Sequence, residues 1–175
     1  MPTSQPENLT PVCQKILELA PNVQSALDIG VGIGKWGVLL REYLEVFPHW
    51  RFTKREWKAT IHGIEIHGDY RNPVWDMYDH VFVDEAYTFL QNCAQYDLII
   101  MIDVLEHFPK EQAIHVLNLM KSKAKYVIFS YSNCEQKDVP GNQHEDHLSK
   151  WKDSDFPRCV KLCGVKDSWG TFFWV

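Results

Sequence analysis

The segment Leu27–Gly34 reads Leu-Asp-Ile-Gly-Val-Gly-Ile-Gly, and its alternating glycines give the first indication of the class of fold. A short apolar run, Ser25–Ile29, stops at glycines that alternate with apolar residues, and a helical pattern begins at Lys35. Glycines allow a tight turn and let a ligand approach the backbone closely, while the start of a helix offers unpaired N–H groups to an anion. The segment therefore predicts a buried strand, a ligand-binding loop and a helix in direct succession.

Strands and helices alternate along the rest of the chain. Further strands are predicted at Thr60–Ile66, His80–Val83, Asp97–Ile102 and Tyr126–Phe129, and helices at 35–48, 86–93 and 109–121. The run Leu98–Ile102 is apolar without alternation, as a parallel strand covered on both faces requires. Two closing strands, Cys159–Val165 and Thr171–Val175, form a hairpin. This order predicts an α/β fold, with a mostly parallel sheet, helices on both faces and an antiparallel strand at the end.

Composition limits the classes of function. The 175 residues are 45% apolar and 23% charged, which predicts one globular domain over residues 1–175 with a loose N-terminal tail at 1–9. The formal charge of −5 argues against nucleic-acid binding. The longest apolar run has five residues, too few for a membrane-spanning helix. The five cysteines form no CxxC pair, which predicts reduced thiols in a cytoplasmic protein rather than disulfides or a zinc site.

Ligands of such sheets bind beyond the carboxyl ends of the strands, so the residues that follow each strand are the candidates for a site. Glu65 ends the second strand, where a carboxylate can accept hydrogen bonds from both hydroxyls of an adenosine ribose. Asp84 and Glu85 follow the third strand and suit either an adenine amino group or the cap of the next helix. The pattern G-x-G-x-x-G, which starts at Gly32, leaves a nicotinamide dinucleotide open at this point.

The fourth strand is followed by Asp103–His107, which reads Asp-Val-Leu-Glu-His. Together with Leu27–Gly34 and Glu65, this segment resembles the class I S-adenosylmethionine (SAM)-dependent methyltransferases. The resemblance extends from about Ala26 to the end of the chain. It implies a Rossmann-like three-layer fold, a seven-stranded sheet whose last strand is antiparallel, and SAM as the cofactor.

The resemblance also implies where SAM would bind. The glycine loop would hold the methionine part, Glu65 the ribose and Asp84 the adenine end, while Asp103 would lie near the sulfonium and the amino group. The neighbours of these anchors complete the predicted cofactor site, which comprises Asp28, Gly30, Gly32, Gly34, Glu65, Ile66, Asp84, Glu85, Asp103 and Val104.

Methyl transfer from a sulfonium is an in-line displacement, and a hydroxyl acceptor also needs a base. His107 and His147 are the predicted catalytic residues, with packing over the cofactor as the alternative for His107. His147 belongs to the polar segment Asn142–Trp151, which follows the fifth strand and is predicted to be the substrate-side lid. His144 and His147 could share one helical face and bind a metal, but a hydrated polar loop is the commoner use of such residues, so no metal site is predicted.

Three functions fit these patterns. The favoured one is methylation of a small molecule or a glycan. The first alternative is a non-catalytic cofactor-binding module that regulates a partner. The second is a nicotinamide-dependent oxidoreductase, for which 175 residues leave no room for a substrate domain. Neither the acceptor atom nor the oligomeric state follows from the sequence.

Overall fold

The computed structural model describes residues 4–175, and its seven strands form one sheet. The strands are β1 Ser25–Ile29, β2 Thr60–Glu65, β3 His80–Val83, β4 Tyr96–Met101, β5 Ala124–Ser132, β6 Val160–Val165 and β7 Trp169–Trp174. The α-helices are α1 Leu9–Leu19, α2 Lys35–Arg41, α3 Phe47–His49, α4 Ala86–Asn92 and α5 Lys110–Lys123. None of the helices in residues 4–175 combines the length and the apolar character needed to cross a membrane.

The strand order is β3-β2-β1-β4-β5-β7-β6. Strands β1 to β5 run parallel, and β7 pairs antiparallel with both β5 and β6. This confirms the predicted Rossmann-like sheet with its closing hairpin. Strand β5 is longer than the predicted Tyr126–Phe129 because β7 pairs along it as far as Ser132. The strand order reverses between β1 and β4, and such a switch point leaves a crevice at the carboxyl ends of the strands.

Helices cover both faces of the sheet. On β4, Leu98 and Ile100 belong to the core cluster that includes residues of α1 and α2, whereas Ile99 and Met101 belong to the cluster that includes residues of α4 and α5. All four side chains are fully buried. Successive residues of a strand point to opposite faces, so a strand covered on both sides needs an unbroken apolar run, as the sequence predicts.

The helix predicted at 35–48 is present but not uniform. A π-helical segment, Glu42–Val46, joins α2 to α3. The carboxylate of Glu45 in this segment is buried and accepts a hydrogen bond from the backbone N–H of Lys58 at 2.6 Å and another from that of Ala59. The long connection to β2 therefore folds back against the helix.

The N-terminal segment Ser4–Leu9 differs from the predicted loose tail. Pro6–Asn8 forms a 3-10 turn that leads directly into α1. The side chain of Asn8 is fully buried, donates to both oxygens of Asp103 at 3.0 and 2.9 Å, and accepts from the hydroxyl of Thr171. These buried polar partners hold the segment against the sheet, and residues 1–3 of the predicted tail lie outside the described residues.

Candidate functional site

A cavity of about 440 Å³ lies at the carboxyl ends of β1, β2, β3 and β4. It sits where the strand order reverses, the position at which open α/β sheets bind ligands. The structure brings these sequence-predicted residues into its wall: Gly30, Gly32, Glu65, Ile66, Asp84, Glu85, Asp103, Val104 and His107. Three others, Asp28, Gly34 and His147, do not line it.

The glycine loop forms one side of the cavity. Gly30, Gly32 and Gly34 have φ angles of 81°, 51° and 93°, in the left-handed region that side chains disfavour. At Gly30, an added Cβ would come within 2.3 Å of Cγ2 of Val104. Gly34 is the N-cap of α2. Gly30 and Gly32 therefore bring the loop backbone to the cavity without side chains of their own.

Asp28 lies beneath this loop rather than in it. Its carboxyl group is fully buried, and the hydroxyl of Tyr78 donates to Oδ2 at 2.5 Å. Burial raises the pKa of Asp28 to about 7. No donor among the described residues reaches Oδ1. Asp28 thus does not line the cavity, and its side-chain partner is Tyr78.

Glu65 connects the glycine loop to the end of β2. Its Oε2 accepts from the backbone N–H of Gly32 at 2.8 Å, and its Oε1 accepts from that of His67 at 2.9 Å. The side chain is only 6% exposed, and it lines the cavity. A carboxylate has about four acceptor positions, so the two backbone bonds orient Glu65 and leave capacity for two further donors.

The structure separates the roles of the acidic pair after β3. Glu85 is the N-cap of α4, since its Oε2 accepts from the backbone N–H of Thr88 at 2.8 Å. Asp84 accepts from the backbone N–H of Glu85 at 2.7 Å and is otherwise exposed at the cavity rim. The sequence leaves a helix cap and a ligand-binding carboxylate as alternatives for this pair. In the structure Glu85 is the cap, and the neighbouring Asp84 is the carboxylate at the rim.

Asp103 lines the cavity, but its carboxylate is already engaged. It accepts from the backbone N–H of Gln5 at 2.7 Å, from the amide of Asn8, and from the hydroxyl of Ser130 at 2.6 Å. Its φ of 55° lies in the left-handed region. In this arrangement the carboxylate holds the N-terminal segment over the cavity. Its predicted role near the sulfonium and the amino group of SAM stays a prediction.

The opposite wall comes from the turn after β4 and from the polar loop after β5. His107 lines the cavity together with His144, Glu145 and Leu148. The ring of His147 packs against that of His107, with the two ring centroids 4.8 Å apart and the planes nearly perpendicular at 85°. Burial lowers the pKa of His107 and that of His147, which favours the neutral form of both rings.

The polar loop is attached to the rest of the molecule at several points. The backbone N–H groups of Leu148 and Ser149 donate to the carbonyl of Glu106 at 2.8 and 3.1 Å. The amide of Asn142 donates to the hydroxyl of Tyr70 at 2.8 Å. These bonds place the loop at the edge of the cavity, where the sequence predicts a lid.

The sequence does not identify several residues of the cavity. Lys35 and Trp36 begin α2, and they donate to the backbone and the hydroxyl of Ser4 at 2.7 and 3.0 Å. Tyr70 and Gln112 also line the wall. Lys35 directly follows the glycine loop, so its place in the sequence could have identified it as a cavity residue. The other residues reach the cavity only through tertiary packing.

A family model described as "Methyltransferase domain" matches residues 5–164 of the chain. No curated protein matches this chain. Many solved structures share the fold. An O-methyltransferase family protein from Burkholderia thailandensis superposes with a TM-score of 0.61 at 9% identity, over 94% of this chain and 55% of that one. This chain thus spans just over half the length of that protein.

Two further structures are covered over most of their length. Magnesium protoporphyrin IX methyltransferase from Synechocystis PCC 6803, with bound SAM, gives a TM-score of 0.54 at 16% identity, over 95% of this chain and 80% of that one. An N-methyltransferase from Bradyrhizobium japonicum WM9 gives 0.55 at 11% identity, over 93% and 92%. At these identities the likeness shows the fold alone.

Proposed function

The chain belongs to the methyltransferase-domain family, and on that basis we propose that it transfers the methyl group of SAM to a small-molecule acceptor. One observation carries the proposal. The glycine loop, Glu65 and Asp84 form one wall of the cavity, and His107 with the polar loop forms the other. A cofactor and an acceptor can therefore lie side by side in the same cavity.

The cofactor wall fits the polar groups of SAM. Gly30 and Gly32 line the cavity, and without side chains they leave their backbone accessible to the methionine part. The free acceptor positions of Glu65 suit the two ribose hydroxyls. Asp84 at the rim suits the adenine amino group. Lys35 adds a cation that suits the carboxylate of the methionine part.

The size of the cavity favours a small acceptor. Its volume of about 440 Å³ lies toward the lower end of the range for small-molecule sites, roughly 300–1,000 Å³. The acceptor wall combines histidines with an aromatic ring, Tyr70, and these groups suit a hydroxylated acceptor such as a sugar. A glycan fits as one terminal residue that enters the cavity.

SAM supplies an activated methyl group when it is bound. The residues of the chain then have to align the acceptor with that carbon and exclude water, and such positioning contributes roughly 7–11 kcal/mol to lowering a barrier. His107 lies on the acceptor wall, where burial lowers its pKa and favours the neutral ring, and the ring of His147 packs against it. We assign this pair to holding the acceptor oxygen and taking up its proton.

Calorimetric titration of the full chain tests the proposal. SAM and S-adenosylhomocysteine should bind with micromolar affinity, and NADH should not bind. Acceptors are then screened by release of S-adenosylhomocysteine, sugars first. Binding of NADH alone would favour the oxidoreductase, and SAM binding without turnover on any acceptor would favour a non-catalytic module. No binding of SAM or S-adenosylhomocysteine would refute the cofactor assignment.

A further inference from the structure

Three ligating side chains meet on the acceptor side of the cavity. Glu106 and His107 come from the turn after β4, and His147 comes from the polar loop. Each offers one ligand atom, and the three atoms lie within 4.8 Å of one another. The sequence predicts His107 and His147 as catalytic residues, although 40 positions separate them, but it assigns no role to Glu106.

The two histidines are oriented in the way that metal ligands usually are. Nδ1 of His107 lies 3.2 Å from the carbonyl oxygen of Asp146, and Nδ1 of His147 lies 2.8 Å from that of Cys134. A carbonyl oxygen can only accept, so each Nδ1 carries the proton and each Nε2 keeps its lone pair. A metal-bound histidine almost always donates its other ring N–H to such a partner.

Glu106 supplies an independent sign of a missing ligand. Its side chain is only 1% exposed. Oε1 accepts from the backbone N–H of Ser132 at 3.1 Å, but no donor among the described residues reaches Oε2. A buried polar atom without a partner is costly in a folded protein, and a cation among these three side chains would compensate it.

We propose that Glu106, His107 and His147 bind a divalent transition-metal cation of the zinc class. Two imidazole nitrogens and one carboxylate oxygen form a donor set that Zn²⁺ accepts readily, whereas Mg²⁺ and Ca²⁺ prefer oxygen ligands alone. Three protein ligands also leave a fourth position open, as in catalytic zinc sites. From the sequence, His147 and His144 are candidates for a metal site, but none is predicted. His144 is not part of the present cluster.

Binding requires a small contraction of the cluster. In a tetrahedral site with bonds of about 2.0–2.2 Å, the ligand atoms lie about 3.3 Å apart. The present separation of up to 4.8 Å therefore closes by about 1.5 Å when the side chains turn toward the ion. His107 also lines the cavity, so an ion can enter from there.

The position of the cluster suggests what the ion would do, a step that rests on the proposed function. An acceptor hydroxyl bound at the open position would lose its proton more easily, because a bound Zn²⁺ strongly lowers the pKa of an oxygen ligand. With the ion bound, His107 and His147 would act as its ligands instead of taking up the proton themselves. The ion would hold the acceptor oxygen, and the proton released from the hydroxyl would pass to solvent water.

Direct metal binding tests the proposal without any assay of turnover. The full chain, stripped with a chelator and dialysed, is titrated with Zn²⁺ by calorimetry and with Co²⁺ by visible absorption, and retained zinc is counted by mass spectrometry. One equivalent per chain is expected. His107→Ala and His147→Ala should each lower the affinity more than about 100-fold, since loss of an outer hydrogen-bond partner alone costs roughly 10–100-fold.

Two further variants separate ligation from folding. His144→Ala is the matched control, because it removes a histidine of the same loop that lies outside the cluster, and zinc affinity should be unchanged. Glu106→Gln keeps an acceptor for the N–H of Ser132 but cannot ionise to give a carboxylate ligand, so it should fold normally and bind zinc weakly. Lack of a stoichiometric metal, or affinity that survives His107→Ala and His147→Ala, would overturn the proposal.

S-adenosylhomocysteine binding by each variant is measured in parallel. Zinc binding without cofactor binding would refute the proposed function and leave the metal site standing. Cofactor binding without zinc binding would refute the metal site and leave the proposed function standing.

Discussion

At the scale of single residues, the wall proposed to bind the cofactor is formed by the glycine loop, Glu65 and Asp84. The contacts it can offer a ligand depend on where side chains are absent and on which carboxylates are already hydrogen-bonded. Gly30 and Gly141 have nearly equal φ angles, 81° and 80°, but only Gly30 lies against a neighbour, Val104. Glu65 is oriented by two backbone donors and keeps free acceptor positions, while Asp103 has its oxygens engaged by Gln5, Asn8 and Ser130. Similar residue types after neighbouring strands thus have different chemistry available.

Gly30→Ala should weaken cofactor binding. The new methyl group would lie 2.3 Å from Cγ2 of Val104, at the floor of the cavity, and would displace either the loop or the valine. We expect the affinity for S-adenosylhomocysteine, measured by calorimetry, to fall at least about tenfold, which corresponds to about 1.4 kcal/mol. Gly141→Ala is the control, because it imposes the same backbone strain with nothing within 4 Å. Equal losses in both variants would contradict the argument.

Asp28→Asn should change how stability depends on pH. The pKa of Asp28 rises from its ordinary value of 3.8 to about 7 on folding. Between these values the folded chain binds more protons than the unfolded chain, so the free energy of unfolding falls as pH rises. An asparagine cannot ionise and still accepts from Tyr78. Urea titrations should therefore show the variant gaining about 2–3 kcal/mol on the wild type between pH 5 and pH 8. A constant difference between the two proteins would contradict the assignment.

At the scale of elements, two irregular segments complete the cavity. The N-terminal segment Ser4–Leu9 covers one side through Ser4 and Asp103, and the polar loop after β5 covers the other through Asn142 and Tyr70. Both are held by hydrogen bonds to distant residues rather than by regular secondary structure. Their stability therefore depends on a few polar contacts each.

Asn8→Ala should destabilise the fold and loosen the N-terminal segment. It removes a donor to the carboxylate of Asp103 and an acceptor for Thr171 in a fully buried position. Hydrogen bonds to charged groups contribute roughly 1.5–3 kcal/mol, so urea titration should show a loss of about 2–4 kcal/mol. Glu18→Ala, which removes an exposed ion-pair partner of Lys15, should cost less than about 1 kcal/mol. A loss at Asn8 no larger than that at Glu18 would mean that the segment is not anchored there.

At the scale of the whole molecule, the sheet brings together residues that are far apart in the chain. Parallel pairing aligns the carboxyl ends of β1, β2 and β4, and the reversal of strand order opens the space between them. The walls of the cavity come from both halves of the chain. A ligand that contacts them all should therefore stabilise the entire fold.

S-adenosylhomocysteine should raise the melting temperature of the protein. At a free concentration of 100 times its Kd, a ligand that binds only the folded state adds about 2.7 kcal/mol. For a chain of this size, each kcal/mol shifts the melting temperature by roughly 2–4 °C, so we expect a rise of about 5–10 °C by calorimetry. NADH at the same concentration should produce none. A rise with NADH, or none with S-adenosylhomocysteine, would contradict the proposed cofactor.

Local patterns were enough to predict the fold and many of the residues that line the cavity. The apolar run Leu98–Ile102 indicates a strand buried on both faces, and the glycines after β1 indicate a tight turn. Both patterns consist of residues adjacent in the chain. The parallel sheet then places every strand end at the same edge, so Glu65 and Asp84 could be assigned to the cavity without coordinates.

Long-range contacts set the remaining features, and no local pattern encodes them. The anchoring of Asn8 on Asp103 and Thr171 spans 95 and 163 positions. The placement of His147 beside His107 and Glu106, rather than beside His144, depends on how the polar loop lies on the turn after β4. Such contacts form between groups that meet only after the sheet has assembled, so side-chain partners and free lone pairs become visible only in the folded protein.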